Sequence, residues 1–293
     1  MGTPIFRPGR ADEAAEMLDV MAAALAAEAT SGGITHAFPD REQEMAWLRY
    51  LLATGSGRVA EVDGRVAGFG ITVRRGSVSW LVSLFVRPGD QGRGLGRLLL
   101  EQLWPAGNGD RATLVDAASR PATNLYLHAG LTPRLPILAF EAGLPIAPAD
   151  AQPMRLDDDW LRVVARVSAA DERAFGAPRA ADHAHWSENG FAFRSVWGES
   201  GEWLGYARWS PTGRLGPVVL DARAAWLDVL RALAGEATRA GLARLKVMVP
   251  AVNEDALRAC QMLGLRYQGM EIAMATCGLG GWDHCLIHRA GLP

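Results

Sequence analysis

One order of predicted elements returns twice along this chain, and no other feature limits the fold more. In the first half "GRVAEV" (57–62) and "RVAGFGITV" (65–73) read as strands joined by a turn at Asp63-Gly64. "SVSWLVSLFV" (77–86) is a third strand, apolar enough to be buried. A glycine-broken segment then opens a leucine-rich helix. "ATLVDA" (112–117) is a strand, "PATNLYLHAG" (121–130) a helix and "RLPILAFE" (134–141) a closing strand. Beyond residue 190 the same order recurs. "GFAFRSVW", "WLGYARWS" and "RLGPVVLD" are strands, "AAWLDVLRALAGEATRAG" the long helix and "LARLKVMV" the next strand. "NEDALRACQMLG" is the second helix and "RYQGMEIAMA" the closing strand. Both final helices end in Gly-Leu, at Gly130-Leu131 and Gly264-Leu265. Order, more than letters, marks a tandem duplication.

Ahead of the first repeat lie a short strand around Ile5-Phe6-Arg7 and two helices. "ADEAAEMLDVMAAALAAEA" carries Met17, Val20 and Met21 on one face, and "DREQEMAWLRYLLA" carries Met45, Leu48, Leu51 and Leu52. At 293 residues the chain is long enough for two ordinary domains. The expected bounds are 1–142 and 154–293, with 143–153 as a linker, since "AGLPIAPADAQPM" holds three prolines in thirteen residues.

Hydrophobic content of 49% against 21% charged residues is a globular composition, and the net charge of −2 points to neither nucleic acid nor membrane surface as partner. Three cysteines without metal-ligand spacing, and an N-terminal stretch without an apolar signal core, predict a reduced, cytoplasmic protein.

The chemistry concentrates in "SWLVSLFVRPGDQGRGLGRLLLEQLW", Ser79 to Trp104. Glycine weakens a helix by roughly 1 kcal/mol relative to alanine, yet Gly92, Gly94 and Gly96 alternate where the leucine-rich helix must begin. A helix N-terminus presents free N–H groups and about half a positive charge, which suits a phosphate. Missing Cβ atoms at 92, 94 and 96 let a bulky diphosphate approach that backbone, and Arg93 and Arg97 add charge beside it. The P-loop pattern is absent, and Gly94-Leu95-Gly96 lacks the third glycine of a dinucleotide fingerprint.

These residues carry a resemblance. "FVRPGDQGRGLGRLLL" resembles the acetyl-CoA loop of the GNAT acyltransferase superfamily, Q/R-x-x-G-x-G/A after the central strand, with Gln91, Gly94 and Gly96 at its defined positions. "SRPATNLYLHAGL" is similar to the family's second landmark, N-x6-Y-x3-G-[FL], with Tyr126 as tyrosine and Ser119 in place of asparagine. The resemblance implies an α/β fold of two tandem domains, each a central mixed, mostly antiparallel sheet flanked by helices. It implies that the amides of Gly92, Arg93, Gly94, Leu95, Gly96 and Arg97 bind the pyrophosphate of acetyl-CoA. It also implies that the backbone of Leu84, Phe85 and Val86 pairs with the pantetheine arm where the central strands splay apart, and that Ser119 gives a polar contact.

The implied reaction is attack of an amine on the thioester of acetyl-CoA, with a backbone N–H near Val86 meeting the oxyanion and Tyr126 protonating the departing thiolate. A lysine-like amine of pKa about 10.4 costs close to 4.6 kcal/mol to deprotonate at pH 7, an α-amino group near pKa 8 only about 1.4 kcal/mol. Relatives carry a glutamate near the start of the buried strand, where this chain has Trp80. Asp116 is the acid expected to serve as base, or else it caps the helix after it. His36, Asp40 and Glu42 are second candidates. His183 and His185 lack a convincing third ligand, so no metal is expected.

The second repeat has "DARAAW" (221–226) where the first has its glycine loop, and Cys260 where the first has Tyr126. It is expected to keep the fold without the cofactor site. Trp186, Trp203, Tyr206 and Trp209 either wall the acceptor pocket or fill that unit's own core. The function expected is N-acetyl transfer to a small primary amine or amino terminus by a monomer, a homodimer being the other state. The rival reading is a non-catalytic acyl-CoA sensor.

Overall fold

The computed structural model describes residues 2–30, 40–105, 109–146 and 154–289. Two compact units are present, one running to residue 134 and including 272–278, the other comprising 135–271 and 279–289.

The first unit holds β1 (Ile5–Pro8), α1 (Ala14–Thr30), α2 (Arg41–Thr54), β2 (Ser56–Val62), β3 (Arg65–Arg75), β4 (Val78–Val86), α3 (Leu95–Leu103), β5 (Asp110–Asp116) and α4 (Arg120–His128). The sheet runs β1-β2-β3-β4-β5, antiparallel throughout except for the parallel pair β4 and β5. Asp63 (φ 50°) and Gly64 (φ 74°) both turn left-handed, so the expected two-residue hairpin joins β2 to β3. Met17, Val20 and Met21 of α1 and Leu48 and Leu51 of α2 bury themselves with Phe69 and Ile71 of β3. Leu100 and Leu103 of α3 form another cluster with Leu81 of β4 and Tyr126 of α4. Asp40 accepts from the N–H groups of Glu42 and Gln43 and so caps α2, while Glu42 is exposed on its first turn. His36 lies outside the described residues.

The second unit comprises β6 (Thr132–Gly143, from residue 135), β7 (Arg155–Asp157), α5 (Trp160–Phe175), α6 (Ala180–Glu188), β8 (Ala192–Trp197), β9 (Trp203–Trp209), β10 (Arg214–Leu220), α7 (Trp226–Arg239), β11 (Arg244–Pro250), α8 (Glu254–Met262), the start of β12 (Arg266–Ala275) and β13 (Cys285–Leu286). Its strands run β6-β11-β10-β9-β8-β7, with β13 against β10. Helices α5 and α6, for which no elements were expected from the sequence, follow β7 as α1 and α2 follow β1. Val163, Val167, Ala170 and Ala174 bury one face of α5, a helical spacing present in the sequence.

The packed units and the sequence repeats differ by an exchanged closing strand. β6, expected to close the first repeat, pairs with β11 from Ile137 to Gly143. The end of β12 belongs to the first unit, where the Thr276 N–H donates to the Arg111 carbonyl at 2.9 Å. Of the expected linker, residues 147–153 lie outside the described residues.

A buried polar cluster organises the second unit. Asp171 of α5 accepts from the Tyr206 hydroxyl and, at 3.0 Å, from Nε2 of His183. The Arg208 Nε donates to Nδ1 of His183 at 2.8 Å, which leaves the proton of a neutral imidazole on Nε2. Arg179 pairs with Asp182 at 2.8 Å. Trp186, Tyr206 and Trp209 are buried in this unit, with Arg208 lying over the Trp160 and Phe193 rings, and Trp203 is half-buried. Three of the four aromatic side chains considered for an acceptor pocket therefore fill the core of their own unit.

Burial pushes His183, His185 and His288 below the ordinary 6.5, His288 furthest. At and below pH 6.5 the unfolded chain binds protons that the native chain excludes, so stability falls as pH falls, by up to about 1.4 kcal/mol per pH unit for each histidine. Thermal melts at pH 7 and pH 5 are expected to show a lower Tm at pH 5. An unchanged or higher Tm at pH 5 contradicts this account.

Candidate functional site

The first unit's parallel ladder is short. Val78, Ser79, Trp80 and Leu81 of β4 pair with Asp110, Arg111, Ala112 and Thr113, and the pairing then stops although both strands continue. An extra residue at Val82 interrupts the register with β3 just there, a bulge that bends β4 away. Beyond Leu81 the two strands therefore splay apart, as the resemblance implies.

Antiparallel alternation decides which β4 groups face the gap. The Arg87 N–H donates to the Ala67 carbonyl at 2.8 Å, so Phe85 likewise spends its backbone groups on β3. Leu84 and Val86 fall at the non-bonded positions and turn their N–H and C=O groups toward the gap. Of the three residues whose backbone was expected to pair with the pantetheine arm, Phe85 turns its backbone groups the other way, and its ring packs on Phe69. Gln91 reaches back and donates its side-chain amide to the Val86 carbonyl at 3.1 Å.

The glycine loop leads from β4 into α3. Gly92 (φ 76°) and Gly94 (φ 77°) occupy the left-handed region, which residues bearing a Cβ adopt only at a cost. A Cβ added to either meets no atom within 4 Å, so open space adjoins both. Gly96 differs, since its added Cβ makes ordinary contact with Leu125 and Val86. Gly94 is the N-cap of α3 without a capping side chain, and the first intrahelical bond is Leu98 N–H to its carbonyl at 3.0 Å. The N–H groups of Leu95, Gly96 and Arg97 thus have no carbonyl of their own helix to meet, and they carry the positive end of its dipole. Arg93 is held by Asp90 at 2.6 Å and by the Gly2 carbonyl, which makes its guanidinium a brace of the loop. Arg97 is exposed and paired with Glu101.

Tyr126, the expected proton donor, is also a core residue of the first unit. Its ring is 6% exposed among Leu81, Leu100 and Leu103, and the Thr113 side chain lies near its hydroxyl. Thr113 donates to the Leu81 carbonyl at 2.9 Å, and these two residues are the last β4–β5 pair. The hydroxyl therefore stands where the strands part. Burial raises its pKa well above the ordinary phenol value, with nearby Glu28 adding to the rise, so it keeps its proton at physiological pH.

Asp116 accepts the Ala118 N–H at 2.8 Å and so caps the turn before α4. Trp80 is a buried core residue. Ser119 donates to the carboxylate of Glu28, near the end of α1, at 2.6 Å. No sequence reading reached Glu28. One signal was available, since an acid in the last turn of a helix opposes its dipole.

The second unit's counterpart is occupied by its own chain. Its parallel ladder is shorter, Arg214 and Leu215 on Lys246 and Val247. Into the gap beyond runs β13, with Leu286 and Cys285 on Val218 and Val219 and the Ile287 N–H on the Met248 carbonyl. Asn253, the counterpart of Ser119, donates to the Cys285 carbonyl at 3.0 Å. The missing glycines are therefore only part of what distinguishes this gap from the one beyond β4.

Residues 53–132 match the model of the Acetyltransferase (GNAT) domain. Similar solved structures include a Pyrococcus horikoshii protein described as an acetyltransferase, at 18% identity and TM-score 0.78, covering 99% of this chain and 96% of that one. A GCN5-related N-acetyltransferase from Sphaerobacter thermophilus matches at 19% identity and TM-score 0.70, over 99% of this chain and 96% of that one. A tandem GNAT protein from the clavulanic acid biosynthesis pathway matches at 18% identity and TM-score 0.65, over 95% and 99%. No curated protein matches the sequence.

Proposed function

We propose, from the premise that this chain carries a GNAT acetyltransferase domain, that it transfers an acetyl group from acetyl-CoA to a small primary amine or an amino terminus. The observation that carries the reading is the splay between β4 and β5, with the unsatisfied start of α3 beyond β4 and the Tyr126 hydroxyl where the strands part. The fit to acetyl-CoA rests on the open space beside Gly92 and Gly94, where a Cβ would meet nothing. The amides from Gly92 to Arg97 would hold the pyrophosphate, and Leu84 and Val86 would pair with the pantetheine arm. Ser119 was expected to give acetyl-CoA a polar contact, but its hydroxyl is engaged by Glu28.

Acetyl-CoA supplies the activated acetyl thioester. The protein's part is to align the amine, to meet developing negative charge with a backbone N–H near Val86, and to hold a proton on Tyr126 for the sulfur. Asp116, expected as the base, keeps one oxygen on the Ala118 N–H, and its share in proton transfer is secondary in this reading.

The test measures CoA thiol release against pooled amines, amino acids, polyamines and aminoglycosides, beside an acetyl-CoA binding titration. Release is expected with at least one pool. Binding is expected to saturate at one acetyl-CoA per chain, since β13 fills the second unit's gap. Gly94→Trp, which places a bulky side chain in the open space, is expected to abolish binding while leaving a cooperative melt. Two sites per chain contradict the filled gap. Saturable binding without release from any pool identifies an acyl-CoA sensor instead.

A further inference from the structure

We infer that Glu28, held by Ser119, is the acceptor-side carboxylate that receives the ammonium of the incoming amine and takes its proton. The inference rests on the acetyl-transfer reading and names the residue that reading leaves open.

Glu28 is placed against local preference. It lies in the last turn of α1, where the helix dipole disfavours a negative charge. Among the described residues its partner is not an arginine but the Ser119 hydroxyl, 2.6 Å from Oε1. Ser119 is itself misused as a cap. It stands at the N-cap of α4, yet its side chain makes no capping bond to that helix. Its N–H is spent on the Asp116 carbonyl at 2.9 Å, and its buried hydroxyl is turned across to α1. Two elements 91 positions apart in sequence thus each give up a local interaction to hold one carboxylate oxygen. Among the described residues the other oxygen of this half-buried carboxylate has no hydrogen-bond or ion-pair partner, and it can receive a cation.

The location fits the chemistry. Glu28 is close enough to Tyr126 for its charge to act on the phenol, whose hydroxyl lies near Thr113 where β4 and β5 part. A carboxylate and a neutral phenol therefore lie near one another and can take opposite proton roles. The ammonium gives one proton to Glu28, the N–C bond forms, and the C–S bond breaks. Sulfur takes the proton of Tyr126, and the remaining extra proton on nitrogen restores the phenol. The Glu28 proton leaves to water, so one proton is released per amide formed. A carboxylate in this position selects cationic alkylamines over neutral hydroxyl acceptors.

The test uses the full chain with the amine pool that supports release. Glu28→Gln is expected to bind acetyl-CoA within twofold of the unsubstituted protein while kcat falls about 100-fold and KM for the amine rises. The defect is expected to shrink at least tenfold with an amine of pKa near 8, which needs less help to lose its proton. Ser119→Ala is expected to lower kcat by about tenfold, and Ser119→Thr to restore it. Glu28→Gln with more than half of normal turnover overturns the inference, as does a defect equal for strongly and weakly basic amines. Loss of acetyl-CoA binding in Glu28→Gln also overturns it, by making the residue part of the cofactor site. An unsubstituted protein that binds acetyl-CoA but acetylates no amine overturns the acetyl-transfer reading, and this inference with it.

Discussion

Tyr126→Phe is expected to lower kcat for amine-dependent thiol release by about 100-fold or more, with acetyl-CoA affinity changed less than twofold. The expectation follows from separating the ring from its hydroxyl. Phenylalanine keeps the ring that packs with Leu81, Leu100 and Leu103, so the core is retained and Tm is expected to move only a few degrees. Only the hydroxyl beside Thr113 is lost, and with it the proton that burial keeps on the phenol. A purely structural tyrosine predicts the reverse pattern, a small loss of stability and intact turnover. Steady-state thiol release, corrected by a protein-only blank for the three cysteines, separates the two. Turnover within threefold of normal removes Tyr126 from the chemistry.

Asp171→Ala is expected to destabilise the second unit by about 3–5 kcal/mol, a Tm loss of roughly 10 °C or more. Asp171 is fully buried and receives both Tyr206 and His183, and through His183 it answers the buried guanidinium of Arg208. Its removal leaves Arg179 and Arg208 with Asp182 as the remaining buried acid of the cluster, and buried charges without compensation are far more costly than pairs. Replacing Asp171 and Arg208 together by leucine and methionine removes one charge of each sign and is expected to recover much of the loss. Chemical denaturation of the single and double variants measures this directly. A single-variant loss below about 1 kcal/mol means the cluster is solvated or its charges are not what holds it.

Both predictions concern groups whose residue type was visible in the sequence and whose partners were not. Tyr126 was legible because it stands at a defined spacing from Gly130 and Ser119 on a helix whose period is local. Its approach to Thr113 joins α4 to β5 through the core, and no spacing rule encodes that. Glu28 escaped notice for the same reason, since its partner Ser119 is far along the chain and an acid in an alanine-rich helix reads as solvated surface. Helices α5 and α6 were a different kind of omission. The apolar spacing of α5 is present, but α6 buries Asp182, His183, His185 and Trp186 and so shows no apolar period, and the pair follows β7 as α1 and α2 follow β1.

At the glycine loop the structure adds a backbone requirement to the argument from missing Cβ atoms. Gly92 and Gly94 are required by their left-handed backbone as well as by the open space beside them, whereas Gly96 sits in ordinary contact with α4 and β4.

By itself the sequence determined the order of strands and helices from β2 to β6 and from β8 to β12, the two-residue hairpin at Asp63-Gly64, and the bare start of α3. All of these follow from side-chain period, turn chemistry and missing Cβ atoms, which act over a few residues. Only the tertiary structure decided which closing strand completes which sheet, because β6 buries the same alternating face whether it lies beside β5 or β11. Only the tertiary structure likewise decided that two residues, Cys285 and Leu286, would fill the second unit's gap. A strand that short has no period to read, and its place is set by the unpaired edge of β10 that receives it.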